Sequence, residues 1–183
     1  RRAWASWNYL VPTGGGAGIP VITNLARTLA RQHDVSVFSL TESLQPPDGV
    51  RVWQTDSTTV TRRTVARALS TVLAAGRRSP FDVIHGFWAF PSGAVAVAAS
   101  KLLGARSVVT LQGAELAAIS EIGFGDRLNR YHTLRNRLTC RFADATVVLS
   151  DFQKNAFHNA RFAAGCLQVL PWGVAGGAFP YVP

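Results

Sequence analysis

Four short stretches of this chain carry residue types that could do chemistry. The first is Thr13-Gly14-Gly15-Gly16-Ala17-Gly18, between an apolar run from Trp4 to Val11 and a helical pattern that starts near Pro20. Glycines without Cβ atoms let a backbone turn sharply and bring its amides close to an anion, so the run suits a phosphate-bearing ligand. The same residues also suit a tight strand-to-helix turn with no ligand. The second candidate is His85, a ligand or base in one reading and a hydrogen-bonded structural histidine in the other. The third is Gln112-Gly113-Ala114-Glu115, and the fourth is Ser150. A fifth feature is a row of cations, Arg127, Arg130, Arg137 and Arg141, spaced 3, 7 and 4. That spacing places them near one face of a helix.

The elements that must hold these residues alternate along the chain. Residues 3–11 read as a first strand running into the glycine loop. Ile22, Leu25, Ala26 and Leu29 repeat at helical spacing, with Pro20 in the first turn, where a helix tolerates proline. His33-Asp34 breaks that helix, and residues 35–40 and 50–53 read as strands two and three around the turn Pro46-Pro47-Asp48-Gly49. Residues 59–77 form a second helix with Arg62, Arg63 and Arg67 near its start. Phe81-Asp-Val-Ile-His85 is a fourth strand, apolar as a strand covered on both faces should be. A small-residue helix from about Ser92 to Leu103 ends at Gly104, and Ser107–Leu111 is strand five. Residues 126–142 form a helix with Leu128, Tyr131, Leu138 and Phe142 on one side and the four arginines on another. Residues 145–149 are strand six, Ser150-Asp151 caps a helix through about Ala163, and residues 167–170 are strand seven.

Such alternation leads to an α/β fold: a Rossmann-like, open, mostly parallel sheet of about seven strands with helices on both faces. Ligands then bind beyond the carboxyl ends of the strands, where the glycine loop, His85, Gln112 to Glu115 and Ser150 fall. Residues 1–170 make one such domain. Residues 171–183, rich in glycine and proline, read as a linker leaving it.

Composition narrows the function. Hydrophobic residues make up 48% of the 183 and charged residues 16%, so the chain buries a substantial core. No apolar run reaches the length of a spanning helix. Cys140 and Cys166 stand 26 positions apart with no paired spacing and no clustered histidines. This pattern is expected of reduced core thiols in a cytoplasmic protein, and no metal site is expected. The net charge is +9, and 17 of the 19 cations are arginine, which favours anionic partners. Nucleic acid is not expected, because aromatic residues do not interleave with the arginines.

Several chemistries fit poorly. A dinucleotide fingerprint from Gly14 needs glycine at position 19, where Ile19 stands, and Glu42 lies late for a ribose contact. No Gly-Lys-Ser/Thr follows the loop, so a triphosphatase fits less well still. Ser150 lacks the flanking glycines of a nucleophile elbow and reads instead as a helix N-cap.

Six segments in series resemble the N-terminal domain of family 4 glycosyltransferases. They are Gly14 to Gly18, Leu25 to Val35, Phe81 to His85, Val108 to Gly113, Ala143 to Ser150 and Val169 to Val174. The resemblance implies half of a GT-B fold, two Rossmann-like domains facing across a cleft, with the acceptor shaped by this half and the nucleotide sugar held by an absent C-terminal donor domain. By that similarity, contacts to the donor diphosphate or acceptor fall to Gly14, Gly15, Gly16, Gly113, Glu115 and Ser150, and catalysis to Gln112 and His85. Transfer would retain anomeric configuration. No cofactor is implied beyond the nucleotide-sugar co-substrate, and this half by itself is expected to be inactive.

The chain also departs from the family. Gln112 stands where a histidine is common, Phe87 where a second histidine is frequent, and Ala175 where an acid is usual. No Glu-x7-Glu pair of the donor domain occurs. These departures keep open an alternative, a non-catalytic module of the same fold that binds a glycan or an anionic surface. The acceptor is expected to be a glycan or a lipid-linked molecule. In related enzymes the helix bearing the arginines flanks the acceptor side, so the row is expected to meet an anionic lipid, a membrane surface or an acidic glycan, giving peripheral contact at the inner face of the membrane.

Overall fold

The computed structural model describes residues 2–3, 20–40, 50–54 and 60–173. Among the described residues seven strands form one sheet: β1 (Arg2–Ala3), β2 (Asp34–Ser39), β3 (Arg51–Gln54), β4 (Val83–Phe87), β5 (Arg106–Thr110), β6 (Ala145–Val148) and β7 (Leu167–Val169). Their spatial order is β3-β2-β1-β4-β5-β6-β7, and every pairing is parallel. The chain therefore lays strands outward in one direction from β1 and then in the other from β4. That reversal is the switch point beside which ligands bind in open parallel sheets.

The α-helices among the described residues that link the strands are α1 (Pro20–Ala30), α2 (Arg62–Arg78), α3 (Ala94–Leu103), α4 (Arg130–Phe142) and α5 (Asp151–Asn159). Most expected elements recur within two or three residues of their sequence-based bounds. The first strand is described only over Arg2–Ala3, and the rest of the expected strand, the glycine loop and the turn at Pro46–Gly49 lie outside the described residues.

β2 shows how the sheet is buried on both sides. Val35 and Val37 pack with Ile22 and Ala26 of α1, whereas Phe38 and Leu40 pack with Ala68 and Val72 of α2 and with α3. Alternate residues point to opposite faces, so one apolar strand serves two helix layers. Gly86 on β4 lies against the turn that precedes α3, where a Cβ would approach the Cα of Gly93 to 2.6 Å. Only glycine admits that contact, and it draws the start of α3 onto the sheet.

Three local expectations are corrected. The segment 126–142 is not one helix. A tight turn at Asp126–Leu128 precedes α4, and Asn129 separates them by capping α4, its side-chain oxygen accepting from the amides of Tyr131 and His132. The helix after Ser150 stops at Asn159 rather than about Ala163, followed by Arg161 at φ 54°. The thiols also differ, since Cys140 is buried and Cys166 is exposed, its sulfur accepting from Gln168.

Candidate functional site

The carboxyl ends of β4, β5 and β6 stand level, with Phe87 paired to Thr110 and Thr110 paired to Val147. The loops leaving those three strands therefore meet. Glu115 joins two of them. Its side chain is 1% exposed, and its carboxylate accepts from the amides of Ala89 at 3.1 Å, Gln112 at 3.2 Å and Gly113 at 3.0 Å. Ala89 follows β4 and Gln112 follows β5, so one buried anion ties both loops. Burial raises the Glu115 pKa, and hydrogen bonds from its own backbone amide and those of Ala89, Gln112 and Gly113 oppose that rise. The sequence reading made Glu115 a ligand-binding residue. In the structure the carboxylate faces backbone amides, so it holds the loop rather than facing outward.

Gly113 has φ +115°, a conformation side chains rarely adopt, and a Cβ there would come within 3.3 Å of Gln153 Nε2. Gln153 connects the third loop: its Oε1 accepts from the Leu149 amide, and its own amide donates to the Ser150 hydroxyl. Ser150 is thus the N-cap of α5, next to the β5 loop. Gln112 follows β5 by two residues. Its Nε2 is buried and has no hydrogen-bond partner among the described residues.

His85 lies mid-strand in β4, two residues short of its end, where the sequence reading had placed it at the end. Its Nε2 is 2.7 Å from Thr110 Oγ1, and its ring stacks on Phe87 at 4.3 Å. Enclosure by these groups desolvates the imidazole and lowers its pKa to about 3. The ring is therefore neutral at physiological pH, and it is poorly suited to a base that must hold a proton.

Two aromatic residues at the rim escaped the sequence reading. Trp88, just after β4, has φ 63° and ψ 145°, and it is fixed by its amide donating to Thr110 O and its carbonyl accepting from Gly93. Strained backbone of this kind persists where surroundings over-determine it, often at ligand sites. Trp172 stacks on Phe87 at 5.7 Å, so the chain leaving β7 returns to β4. The start of the expected linker is thus packed against the domain. The signal that could have found Trp88 was its position, directly after an apolar strand in Val83-Ile-His-Gly-Phe-Trp88.

Gly14, Gly15 and Gly16 lie outside the described residues. The arginines are not one row. Arg127 belongs to the turn before α4 and donates to Leu116 O, while Arg137 donates to Ala160 O at 2.6 Å and lies over the Phe162 ring. Arg127, Arg130 and Arg137 share a surface recess of about 520 Å³ with Tyr131 and Leu134, and Arg141 is outside it.

Among the described residues no group of three His, Cys, Asp or Glu could hold a metal ion. No described helix is long and apolar enough to cross a membrane.

The profile of the glycosyl transferase 4-like domain matches residues 15–173. This chain belongs to that family. The match spans the whole set of strand-end loops described above. No curated protein sequence matches. Among solved structures, sucrose-phosphate synthase from Thermosynechococcus elongatus aligns over 100% of this chain and 51% of its own, with TM-score 0.71 and 17% identity. Anabaena HepE, solved in complex with UDP and glucose, aligns over 93% of this chain and 44% of its own, with TM-score 0.58 and 16% identity. UDP-N-acetylglucosamine 2-epimerase from Rickettsia bellii aligns over 92% and 44%, with TM-score 0.57 and 8% identity. The chain therefore spans about half the length of these proteins. At such identities the likeness is one of fold, the Rossmann-like half of GT-B proteins, and the epimerase shows that the fold serves more than one reaction.

Proposed function

We propose that this chain is the acceptor-side half of a glycosyltransferase that moves a sugar from a nucleotide-sugar donor to a glycan or lipid-linked acceptor with retention of anomeric configuration. The observation that carries the reading is the glycosyl transferase 4-like match over residues 15–173, which takes in Gln112 at the end of β5, beside loop amides that Glu115 holds in place. A neutral amide suits a sugar hydroxyl and cannot protonate a leaving group. Gln112 accordingly positions the sugar, and charge on the departing diphosphate is met by backbone amides of Gly14, Gly15 and Gly16. The donor is held by a second domain across the cleft. The complex of HepE with UDP and glucose supports a nucleotide-sugar donor for this fold.

Turnover of a panel of nucleotide sugars by the full-length protein tests this, read as free nucleotide released and as the anomeric configuration of the product. Gln112→Ala should lower kcat/KM by about tenfold, the value of one hydrogen bond to an uncharged partner. Glutamine in place of the family's usual histidine favours one rival, a glycan-binding domain without turnover. Saturable glycan binding with no nucleotide release from any donor would assign that role instead.

A further inference from the structure

At the amino ends of β2 and β3, opposite the strand-end loops, lies a recess of about 240 Å³. These strands pair Ser36 with Arg51 and Phe38 with Trp53, so the side chains at both pairs share one face of the sheet, with Asp34 two residues before Ser36 on the same face. It is the face that α2 covers, since Phe38 packs with Ala68 and Val72. The last turn of α2, with Arg78, and Phe81 beyond it complete the enclosure.

The walls differ in chemistry. One is aromatic: the Trp53 indole lies 6.1 Å from the Phe38 ring with the planes 9° apart, and the Phe81 ring meets Phe38 edge-on at 6.0 Å. Phe38 is buried, whereas Trp53 stays 40% exposed at the edge of the sheet. A large aromatic held flat by a buried neighbour and left half open offers an apolar face to a ring. The other wall is cationic. Arg51 Nη2 donates to both Asp34 oxygens, at 2.6 and 2.8 Å, so that carboxylate is neutralised while the guanidinium keeps further donors. Arg78 has no ion-pair partner among the described residues. Two guanidinium groups thus stand against one carboxylate. The carbonyl end of α2 by itself repels an anion, and Arg77 and Arg78 in its last turn offset that field. Ser36, 7% exposed, adds a hydroxyl to the lining.

Size limits what enters. Cavities for drug-sized molecules begin at roughly 300 Å³, so this one suits a single ring bearing a compact anion. We propose that the recess is a second small-molecule site whose ligand is the monophosphate ester of a single-ring sugar. The phosphate sits between Arg51 and Arg78, where planar guanidinium forks match its oxygens. The ring lies on Trp53, and the oxygens of Ser36 and Asp34 meet its hydroxyls. Because the recess lies at the other end of the strands from Gln112 and Glu115, it is separate from the strand-end site and does not depend on the chain being a transferase.

Isothermal titration of the full chain with glucose 6-phosphate tests the proposal, beside glucose, inorganic phosphate and AMP. The ester should bind, with glucose and inorganic phosphate each weaker by at least about tenfold. Trp53→Ala should weaken the ester about fivefold and Arg78→Gln about tenfold, and Gln112→Ala should leave its affinity unchanged. Arg78 is exposed, so its replacement reads the site without disturbing the core, as unchanged circular dichroism would verify. Inorganic phosphate bound as tightly as the ester overturns the proposal and marks an adventitious ion only. Tighter binding of AMP also overturns it, in favour of a nucleotide. So does ester binding that Gln112→Ala abolishes and Arg78→Gln spares, which would place the ligand at the strand-end loops, and so does the absence of ester binding.

Discussion

The strand-end loops and helix α4 both break the rule that charge stays outside and apolar surface inside. At the strand ends a carboxylate is buried; on α4 a leucine row is exposed. The difference lies in where the compensation comes from. Glu115 receives three amide hydrogen bonds from its own chain, so its burial is explained within the fold. Nothing in the described residues covers Leu134, Leu138 or Phe142, so the described fold leaves their exposure uncompensated. A violation satisfied within the described fold marks architecture, and one left open there has no such internal account.

The strongest way to break this contrast is at Glu115. Glu115→Ala leaves three loop amides without an acceptor and should destabilise the fold by on the order of 3 kcal/mol in urea denaturation, with Glu115→Gln losing roughly half as much. A variant as stable as the parent would mean that the amides find other partners and the loops are not held as argued. His85 gives the next largest effect. Its folded pKa of about 3 lies below the unfolded 6.5, so the unfolded chain binds the proton first. Its contribution is therefore present above pH 6.5 and is lost as pH falls towards 3. Between pH 6.5 and 5 that loss should reach about 2 kcal/mol, and His85→Gln should flatten the slope by that amount.

A smaller effect sharpens the architectural side. Ser150→Ala removes the cap of α5 and should cost about 1 kcal/mol by thermal denaturation. The smallest belongs to α4. Leu134→Glu should shift stability by no more than about 0.5 kcal/mol, as for an ordinary surface site. A large destabilisation there would mean that the apolar row packs within the protein, and the contrast would collapse.

Much of the architecture was legible in the residues because local patterns express it directly. β4 announces a doubly covered strand in Phe81-Asp-Val-Ile-His85, and Ser150-Asp151 announces a cap, since both depend on neighbours in the chain. The site was legible only as positions. Gln112, Gly113, Glu115 and Ser150 do gather at the strand ends, but the direction of the Glu115 side chain depends on Ala89, 26 residues earlier. His85 read equally well as a base or as structure, because its pKa is set by what surrounds it rather than by its neighbours in sequence.

The amino-acid order alone thus determined the alternation of strand and helix, the parallel sheet, the places where loops converge and the strongly basic charge. Each follows from periodicity, capping and composition, which act over a few residues. Only the tertiary structure decided that Glu115 points inward, that His85 is held neutral, that Trp172 returns to Phe87 and that α4 turns its leucines to solvent. Helical periodicity shows that a helix has two faces; which one is buried depends on what packs against it, and here Asn136, Thr139 and Cys140 occupy that side.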